Sequence, residues 1–479
     1  MTKTLTWYLG IDWDNDGTYT EETANLVGLS TRRGREYFLK SNGAGFEPVM
    51  VGEMLATLNN LDGRYDPYNS SSPIYPDVLP GAKFKLQVTH GVTTYDVMRG
   101  EIADIAPVGG ATERVKLLGY DGGEYLRNVG VLTTLQEDIY VHAAIEAVLT
   151  AANWDGGTDL DTWTDVIPYW WASGRTAAKE IDDLNDSAIG QFFIAAGGTA
   201  KYYSRLRSKS VVETITEAEI LKGIDLPQPW EVVRNDVSLF VRTRVQQTSG
   251  DLCSLDDKPL VRSGESLTLW MQFQFDNQDV PAVNVVTPVA YTDYSMYTTP
   301  SGGTNLTTYF TVTPTVYADR VMLVISNGGP LDGYINLLKV RGEALSASLV
   351  NLNRQDSTSI ARYRKREFKI DNNWMQTITV ANDILGLISG ALDEPMVYPT
   401  VRLRGQPALQ FTPDLFSMIG LTLSSKDISG YYDLAYIQHD WLTGTGDLVE
   451  TLFKFEERVM ANNYWFFPTQ IGISSKFGA

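Results

Sequence analysis

Cysteine and histidine are scarce in this sequence. Cys253 is the single cysteine among 479 residues, which excludes an internal disulfide framework and a zinc site built from the cysteines of one chain. A single cysteine also fits folding and assembly in a reducing cytoplasm. Three histidines occur, His90, His142 and His439, and they lie far apart on different predicted elements. No sequence signal therefore points to a catalytic triad or a histidine metal centre.

Basic residues and long apolar runs are also in short supply. The chain has 39 Lys and Arg against 58 Asp and Glu, a net charge of −19. This balance argues against tight or sequence-specific DNA binding, which needs clustered cations. An acidic surface would let DNA slide past without sticking, although the acid also serves simple solubility. No apolar run reaches transmembrane length, and the first residues lack the apolar core of a signal peptide, so we expect no membrane segment and no classical export.

Motifs that mark common enzymes are missing as well. The sequence contains no G-x-S-x-G elbow, no H-E-x-x-H helix and no G-x-x-x-x-G-K-[ST] phosphate loop. Paired carboxylates for glycoside hydrolysis depend on their separation in the fold and leave no trace in sequence. We therefore predict a protein that is not an enzyme, with no catalytic residues and no organic cofactor.

What the sequence does have is aromatic residues and short alternating segments. Aromatics make up 11% of the chain, including 25 Tyr and 11 Trp, which suits β-sheet surfaces and protein interfaces. The chain is too long for one core, so we expect three or four domains.

The most informative stretch lies near the N-terminus. Residues 53–58 and 82–90 alternate apolar and polar side chains, and further strands are predicted at 95–98 and 101–105. Between the first two strands, residues 60–81 are dense in Asp, Asn, Ser, Gly and Pro, which excludes a helix or a central strand. The pattern predicts a small antiparallel barrel with one long ordered loop.

This stretch resembles the first barrel of tail-hub proteins, also called tail-tip, minor tail or baseplate-hub-like proteins, of long-tailed bacteriophages. Irregular loop residues that match in order carry the resemblance, which makes it more specific than a strand pattern. They are Leu58, Asp62-Gly63-Arg64-Tyr65, Pro67, Asn69, Ser72-Pro73, Tyr75, Leu79-Pro80-Gly81 and Arg99-Gly100.

Together, the pattern and the resemblance predict a mainly β chain with α+β material. Two small antiparallel β-barrels flank an α+β module, and a β-sandwich is inserted between them. The predicted domains are a first hub barrel (1–130), an α+β hub domain (131–246), an inserted β-sandwich (247–345), a helix plus second hub barrel (346–458) and an aromatic C-terminal strap (459–479).

Within the α+β domain, apolar spacing predicts helices at 138–153 and 175–189, a loop at 155–174, and a hairpin around Gly197-Gly198. Tyr169-Trp170-Trp171 could form a sugar-stacking platform, but such clusters more often belong to a core or a subunit interface. The inserted block is either a brace against neighbouring proteins, which we favour, or a carbohydrate- or receptor-binding module.

The last third of the chain predicts one helix and five strands. The helix carries Ile378, Ala381, Leu385, Ile388 and Leu392 at helical spacing. Five strands suffice for a second barrel. They are predicted at 401–404, 409–412, 421–424, 433–440 and 448–456.

One candidate metal site precedes the first barrel's second strand. Asp12, Asp14, Asp16 and Gly17 follow the D-x-D-x-D-G spacing of a calcium loop. The position that needs a bidentate glutamate holds Thr23, with Glu21 and Glu22 arriving too early in the loop. An Asp-Asn-Asp-Gly turn also closes a hairpin without metal. Bound calcium and a metal-free turn are both open.

A candidate partner interface lies near the C-terminus. Tyr464, Trp465, Phe466 and Phe467 precede a proline and a low-complexity stretch. Such a cluster straps over its own barrel or docks onto a partner. We favour docking against another protomer or another tail protein.

The resemblance implies a structural hub at the distal end of a phage tail, in a virion assembled in the host cytoplasm. Three copies would form a ring that closes the tail tube, contacts the distal tail protein and the tape-measure protein, and anchors tip or fibre proteins. DNA would pass through the ring without specific binding. Some relatives carry an appended peptidoglycan-cleaving domain, which we do not expect in this sequence. The alternatives are a host-surface carbohydrate-binding adhesin acting through the inserted sandwich, and a polysaccharide depolymerase.

Overall fold

The computed structural model describes residues 5–457 except 41, 42, 44, 110–112, 163, 222, 427 and 443–448. These residues form a mainly β protein with helices. The first strands are β1 Leu5–Asp12, β2 Thr20–Glu21, β3 Leu26–Gly34, β4 Met50–Asn59, β5 Lys83–His90, β6 Thr93–Val108 and β7 Arg114–Tyr120. They are followed by α1 Gly122–Asn128, β8 Gly130–Leu132, β9 Gln136–Tyr140, α2 Val141–Ala151, β10 Thr158–Leu160, β11 Val166–Trp170, β12 Ser173–Thr176, α3 Ala177–Ala188, β13 Gln191–Ile194, β14 Ala200–Tyr203 and β15 Val211–Thr216.

The second half of the chain continues in the same style. Its strands up to the long connecting strand are β16 Asp236–Gln246, β17 Gly250–Ser254, β18 Leu260–Val261, β19 Ser266–Gln272, β20 Gln274–Phe275, β21 Gln278–Asp279, β22 Ala282–Val286, β23 Tyr294–Thr299, β24 Gly302–Asn305, β25 Phe310–Val316, β26 Arg320–Asn327 and β27 Gly333–Gln355. The last elements are α4 Ser357–Tyr363, β28 Glu367–Asp371, α5 Ile378–Ala391, β29 Thr400–Arg404, α6 Pro407–Phe411, β30 Met418–Leu423, β31 Ile428–Leu442 and β32 Val449–Glu457. No helix in the described ranges is both long and apolar enough to cross a membrane.

The N-terminal strands form a curved antiparallel sheet in the order β2-β1-β5-β6-β7-β4-β3. As the alternation predicts, every second residue of β4 and β5 is buried in one core cluster. The predicted break at Arg99-Gly100 is wrong, since both residues pair with β5 inside the continuous strand β6. Glycine is needed there because a Cβ on Gly100 would lie 1.8 Å from the carbonyl oxygen of Tyr120.

The C-terminal strands build a second curved sheet around its own core cluster. Strand β31 pairs with β30 and β32, β29 pairs with β32, and β15 joins β30 in parallel. The predicted strand at 409–412 is wrong, because Pro407 starts the short helix α6. In that helix the side-chain amide of Gln410 donates to the carbonyl oxygen of Val449 at 2.9 Å and to Thr451 Oγ1 at 2.8 Å.

The N-terminal and the C-terminal strands belong to one continuous sheet. Strand β3 pairs antiparallel with β31 from Gly28↔Leu442 to Gly34↔Tyr436, which joins 12 strands into a single sheet. Gly34 has a φ of +113°, and a Cβ there would lie 2.1 Å from the carbonyl oxygen of Ala435. No sheet in the described ranges closes into a barrel, so the two predicted barrels are not confirmed.

The α+β region contains the two predicted helices, α2 and α3, and the predicted hairpin, β13 with β14. The loop predicted at 155–174 is wrong, because the short strands β10, β11 and β12 lie there and pair with β14, β9 and β8. Trp170 and Trp171 are buried against Trp374 in the core of this region. They are not available as a sugar-stacking platform.

Residues 247–345, here called the arm, extend from two long paired strands. β16 and β27 are antiparallel neighbours from Asp236↔Gln355 to Gln246↔Leu345, and β27 continues into the arm. There it pairs with β17, β18, β22 and β23, while β19, β26 and β25 form a second sheet. One apolar cluster contains residues from both sheets. The exact domain limits drawn from the sequence remain predictions.

Candidate metal loop and interaction surfaces

The three aspartates of the predicted metal loop lie together. One carboxylate oxygen from each of Asp12, Asp14 and Asp16 falls within 4.8 Å of the others. The carboxylate of Asp12 is buried and accepts hydrogen bonds from the backbone N–H of Asp16 at 3.1 Å and of Gly17 at 3.0 Å. These bonds fold the turn back on itself, as in the first half of a calcium loop.

The second half of a calcium loop does not follow. Thr23 Oγ1 accepts a hydrogen bond from the backbone N–H of Leu9 at 2.9 Å. The carboxylate of Glu22 accepts hydrogen bonds from Tyr65 and Arg64. The donor set that converges is therefore three monodentate carboxylates without a bidentate glutamate. Calcium binding by Asp12, Asp14 and Asp16 remains a prediction, as does the metal-free turn.

Glu22 anchors the ordered loop at residues 60–81. Its buried carboxylate accepts a hydrogen bond from Tyr65 Oη at 2.5 Å, from Arg64 Nη2 at 2.7 Å and from Trp13 Nε1 at 3.1 Å. Burial, and then the bond to Glu22, raise the pKa of the Tyr65 phenol above its usual value. The neutral phenol of Tyr65 and the charged guanidinium of Arg64 thus bind the same carboxylate, which fixes the 60–81 loop to Glu22.

The backbone of the 60–81 loop is organised into successive turns. Backbone N–H groups donate three residues back from Asp66 to Gly63, from Asn69 to Asp66, from Ser72 to Asn69 and from Tyr75 to Ser72, at 3.0–3.2 Å. Because these turns follow one another along the loop, its backbone is hydrogen-bonded almost throughout.

The same loop exposes large apolar side chains. Tyr68 is 93% exposed and Leu61 is 70% exposed, and Tyr75 and Leu79 are also exposed. Single exposed apolar residues are normal, but four on one ordered loop make the loop a candidate interaction surface. We call these four residues the loop patch.

Where the two curved sheets meet, buried ion pairs cross the junction. Arg35 Nη2 lies 2.5 Å from Glu456 Oε1, and both side chains are 3% exposed. Arg33 Nη2 lies 2.8 Å from Asp414 Oδ1. A third pair joins Lys209, which follows the α+β region, to Asp433 at 2.8 Å. These three pairs, called the junction pairs, tie the N-terminal strands and the α+β region to the C-terminal sheet.

His439 is the one histidine held inside the junction. Its Nδ1 lies 2.9 Å from Thr451 Oγ1, and its ring packs against Phe411 at 4.9 Å between centroids. Burial, with a smaller contribution from the charge of Arg33, lowers the pKa of His439 to about 3. A histidine in this state is a neutral structural group at physiological pH.

A groove of about 710 Å³ separates the N-terminal strands from the α+β region. Its walls are joined by the ion pair between Lys83 Nζ and Asp155 Oδ2 at 3.0 Å. Trp154 lies over two glycines, since a Cβ on Gly122 would lie 2.2 Å from its indole and one on Gly156 would lie 2.5 Å from it. The groove has the volume of a small-molecule site, and its lining includes Asp121, whose pKa is raised by burial to about 6.

The predicted partner interface, Tyr464, Trp465, Phe466 and Phe467, lies outside the described residues. The sequence missed the junction pairs, the β3–β31 pairing and strand β15. The partners in each junction pair are separated by more than 200 residues, so no local pattern signals them. Glu22 was assigned only as an early carboxylate of the calcium loop, whereas the irregular loop motif did contain its partners Arg64 and Tyr65.

No family model matches the chain, and no curated protein matches it. Among solved structures, it is similar to the tail protein from Neisseria meningitidis MC58, with a TM-score of 0.52, 9% identity, and 94% of this chain and 96% of that chain covered. It is also similar to the 43 kDa tail protein of prophage MuSo2 from Shewanella oneidensis, with a TM-score of 0.50, 9% identity, and 95% and 97% covered. At such low identity the likeness concerns the fold. The resemblance to phage tail proteins seen in the sequence is confirmed at that level.

Proposed function

We propose that the chain is a structural hub at the distal end of a phage tail. The observation that carries this proposal is the likeness in fold to two tail proteins along nearly their whole length. The irregular loop motif of the sequence supports the same reading independently. A fold alone does not fix function, so the assembly is what must be tested.

In this proposal three copies form a ring, and each copy contributes two barrel-like strand sets. Six such sets would present near-sixfold symmetry to a hexameric tube above. Two features of the chain support this. The continuous β3–β31 pairing holds the sets together, and in the C-terminal set the bridges Ile220↔Leu403 and Asp225↔Thr400 link the segment after β15 to the edge strand β29. A ring of identical copies requires a heterologous interface that closes.

The mechanism is mechanical. The ring closes the tail tube, contacts the distal tail protein and the tape-measure protein, anchors tip or fibre proteins and opens for DNA. The net charge of −19 would keep phosphates from sticking to the lumen. The ring would lie at the distal end of the virion tail, after assembly in the host cytoplasm.

Light scattering of the purified full chain, with negative-stain images of the same fraction, tests this proposal. We expect a ring with a central hole and a mass near three times the 53.2 kDa of one chain. A particle that stays monomeric across protein concentration and salt, even together with the distal tail protein, would overturn the ring.

A carbohydrate-binding adhesin is the second candidate, because the arm carries an exposed tryptophan stacked on a tyrosine. Trp270 is 54% exposed and stacks on Tyr317 with 5.4 Å between centroids and 24° between planes. Flat aromatic faces of this kind fit sugar rings. The test is binding of the full chain to host cell-wall glycans. Trp270→Ala should abolish binding if this role is real, while Tyr431→Ala, equally exposed but outside the arm, should not.

We propose that the chain has no catalytic activity. The support is the tail-protein fold together with the missing enzyme motifs. Release of reducing ends from host glycans by the purified chain would contradict this and favour a depolymerase.

A further inference from the structure

The loop patch lies on a surface with unbalanced charge. The 60–81 loop also carries Asp62, Asp66 and Asp77, and none of them forms an ion pair with another described residue. Arg64, the single cation of the loop, is already paired with Glu22. The loop therefore carries four exposed apolar or aromatic side chains together with three carboxylates that have no cation partner among the described residues. A partner that fits it has aromatic groups, cations and no acids.

One segment of this same chain has that composition. Residues 458–479 contain the aromatic run Tyr464–Phe467 together with Arg458 and Lys476, and they contain no Asp or Glu. This is unusual in a chain with 58 acidic residues. The charge of the segment is thus opposite to that of the loop, and both supply aromatic side chains.

The strand register separates the start of the loop from the start of this segment along the joined sheet. The loop leaves β4 after Asn59, and Leu58 lies opposite Leu26 of β3. Gly28, two residues along β3, pairs with Leu442, whereas Glu457 pairs with Tyr432 at the far end of β31. About twelve residue steps along the strands therefore separate the two points, roughly 40 Å at 3.3 Å per residue.

The segment is too short to bridge this separation in one copy. Tyr464 follows Glu457 by seven residues, so a fully extended chain carries it at most about 25 Å. Even Phe467, ten residues after Glu457, reaches at most about 36 Å. The aromatic run therefore falls short of Leu61, at the start of its own loop, and cannot cover the whole loop patch of its own copy. A second copy of the chain has no such limit.

We propose that the aromatic run Tyr464–Phe467 of one copy docks onto the loop patch (Leu61, Tyr68, Tyr75 and Leu79) of a second copy. This inference rests on the proposed ring and identifies one of its contacts. The contact is heterologous, since a segment of one copy meets a different surface of the next, and such contacts close into rings. The anchoring of the loop by Glu22 keeps the surface ordered before docking, which lowers the entropic cost of binding.

A cysteine pair tests the contact. In a Cys253→Ser background, Ser71→Cys on the loop and Asn463→Cys beside the aromatic run are combined in the full chain and oxidised. Docking between copies gives covalent dimers and trimers on a non-reducing denaturing gel. The matched control replaces Ser71→Cys with Ser301→Cys, on an exposed turn of the arm, and should give no covalent oligomer.

Two results would overturn the docking. One is a disulfide formed within single chains, which leaves the monomer mass unchanged and consumes both thiols. The other is the absence of any disulfide. Light scattering of the same variants distinguishes failure of the docking proposal from failure of the proposed ring. A trimeric mass without cross-links would support the ring and contradict the docking contact. Covalent dimers without any trimeric particle keep the contact and remove the ring.

A second variant measures the strength of the contact. Tyr68→Ser changes a fully exposed side chain, so the fold should be unaffected, and we expect at least about tenfold weaker association between copies. Val92→Ser, at another fully exposed position, serves as control. Equal association of both variants with the wild-type chain would contradict docking at the loop patch.

Discussion

Arg35 and Glu456 form a two-point ion pair across 421 residues of sequence, with Nη2 2.5 Å from Oε1 and Nε 3.3 Å from Oε2. The guanidinium also donates to the carbonyl oxygen of Glu47 at 3.1 Å and lies over the rings of Phe38 and Phe416. One buried group thus holds the N-terminal strands against the C-terminal sheet.

Removing one partner of this pair should destabilise the protein strongly. Glu456→Ala leaves the Arg35 guanidinium buried without its anion, which costs about 3–5 kcal/mol. We expect a large drop in the urea midpoint followed by tryptophan fluorescence. The double variant Arg35→Met/Glu456→Leu should recover much of that loss, because no charge remains buried.

The exposed pair of Arg402 and Glu450 provides the control. Arg402 Nη1 lies 2.9 Å from Glu450 Oε1, but both side chains reach solvent. Arg402→Ala should therefore cost no more than about 1 kcal/mol. Equal losses at the two pairs would show that the junction pair does not have the role assigned to it.

His439 should make the protein less stable in acid. Its pKa is lowered from 6.5 to about 3 in the folded state, first by burial, so the folded protein keeps it neutral while the unfolded chain takes up a proton. Its contribution is complete above pH 6.5 and is lost as the pH falls from 6.5 toward 3. The slope from this group is at most about 1.4 kcal/mol per pH unit.

The measurement is the denaturation midpoint at pH 7.5 and pH 5 for three proteins. His439→Asn can keep the bond to Thr451 Oγ1 and cannot take up the proton, so its midpoint should fall less between the two pH values than that of the wild type. His90→Asn, at the end of β5, should follow the wild type. An unchanged slope in His439→Asn would refute the assignment.

Local patterns in the sequence predict much of the fold. Strands β4 and β5 and helices α2, α3 and α5 follow from apolar spacing alone, because each packs one side on a core. Local patterns do not predict the secondary structure of segments that depends on contacts with residues far away in sequence. Residues 409–412 alternate like a strand, but Pro407 and the bonds from Gln410 to Val449 and Thr451 make them helical.

The sequence likewise predicted one of the candidate functional features, the 60–81 loop, but not the junction pairs. The 60–81 loop stood out because its irregular residues each have a local reason, such as turn glycines and Asx bonds. The junction pairs could not be found, since charged residues in strands usually lie on a solvated face. Nothing local distinguishes Arg35, which is buried, from Arg32, which is exposed and pairs with Glu53.

Glu22 should control the order of the 60–81 loop. Glu22→Ala removes the acceptor for Tyr65, Arg64 and Trp13 at once and leaves buried donors unpaired, which costs about 3 kcal/mol or more. We expect rapid proteolytic cleavage within 60–81 in this variant while the rest of the chain stays resistant. Asp62→Asn, on the exposed side of the same loop, should be cleaved as slowly as the wild type. Equal resistance of the Glu22→Ala loop would mean that its turns suffice.

The aspartate turn should fold without metal. Backbone N–H groups already satisfy Asp12, and Thr23 and Glu22 are occupied by Leu9 and by the loop anchor. We expect a chelator to leave the melting temperature unchanged and millimolar calcium to shift it by less than about one degree. A saturable rise with calcium but not magnesium, lost in Asp14→Asn, would instead establish Asp12, Asp14 and Asp16 as a calcium site.

The arm should be removable without unfolding the remainder. The β16–β27 ladder continues to Gln246↔Leu345, so a short Asn-Gly turn can replace residues 248–343 at the end of an existing hairpin. The arm has its own apolar cluster, and only Ala318 belongs to the core of the α+β region. We expect the shortened chain to keep its cooperative melting transition and the same number of copies per particle as the full chain. Loss of the ring with retained folding would place ring contacts on the arm, whereas loss of folding would show that the two long strands depend on it.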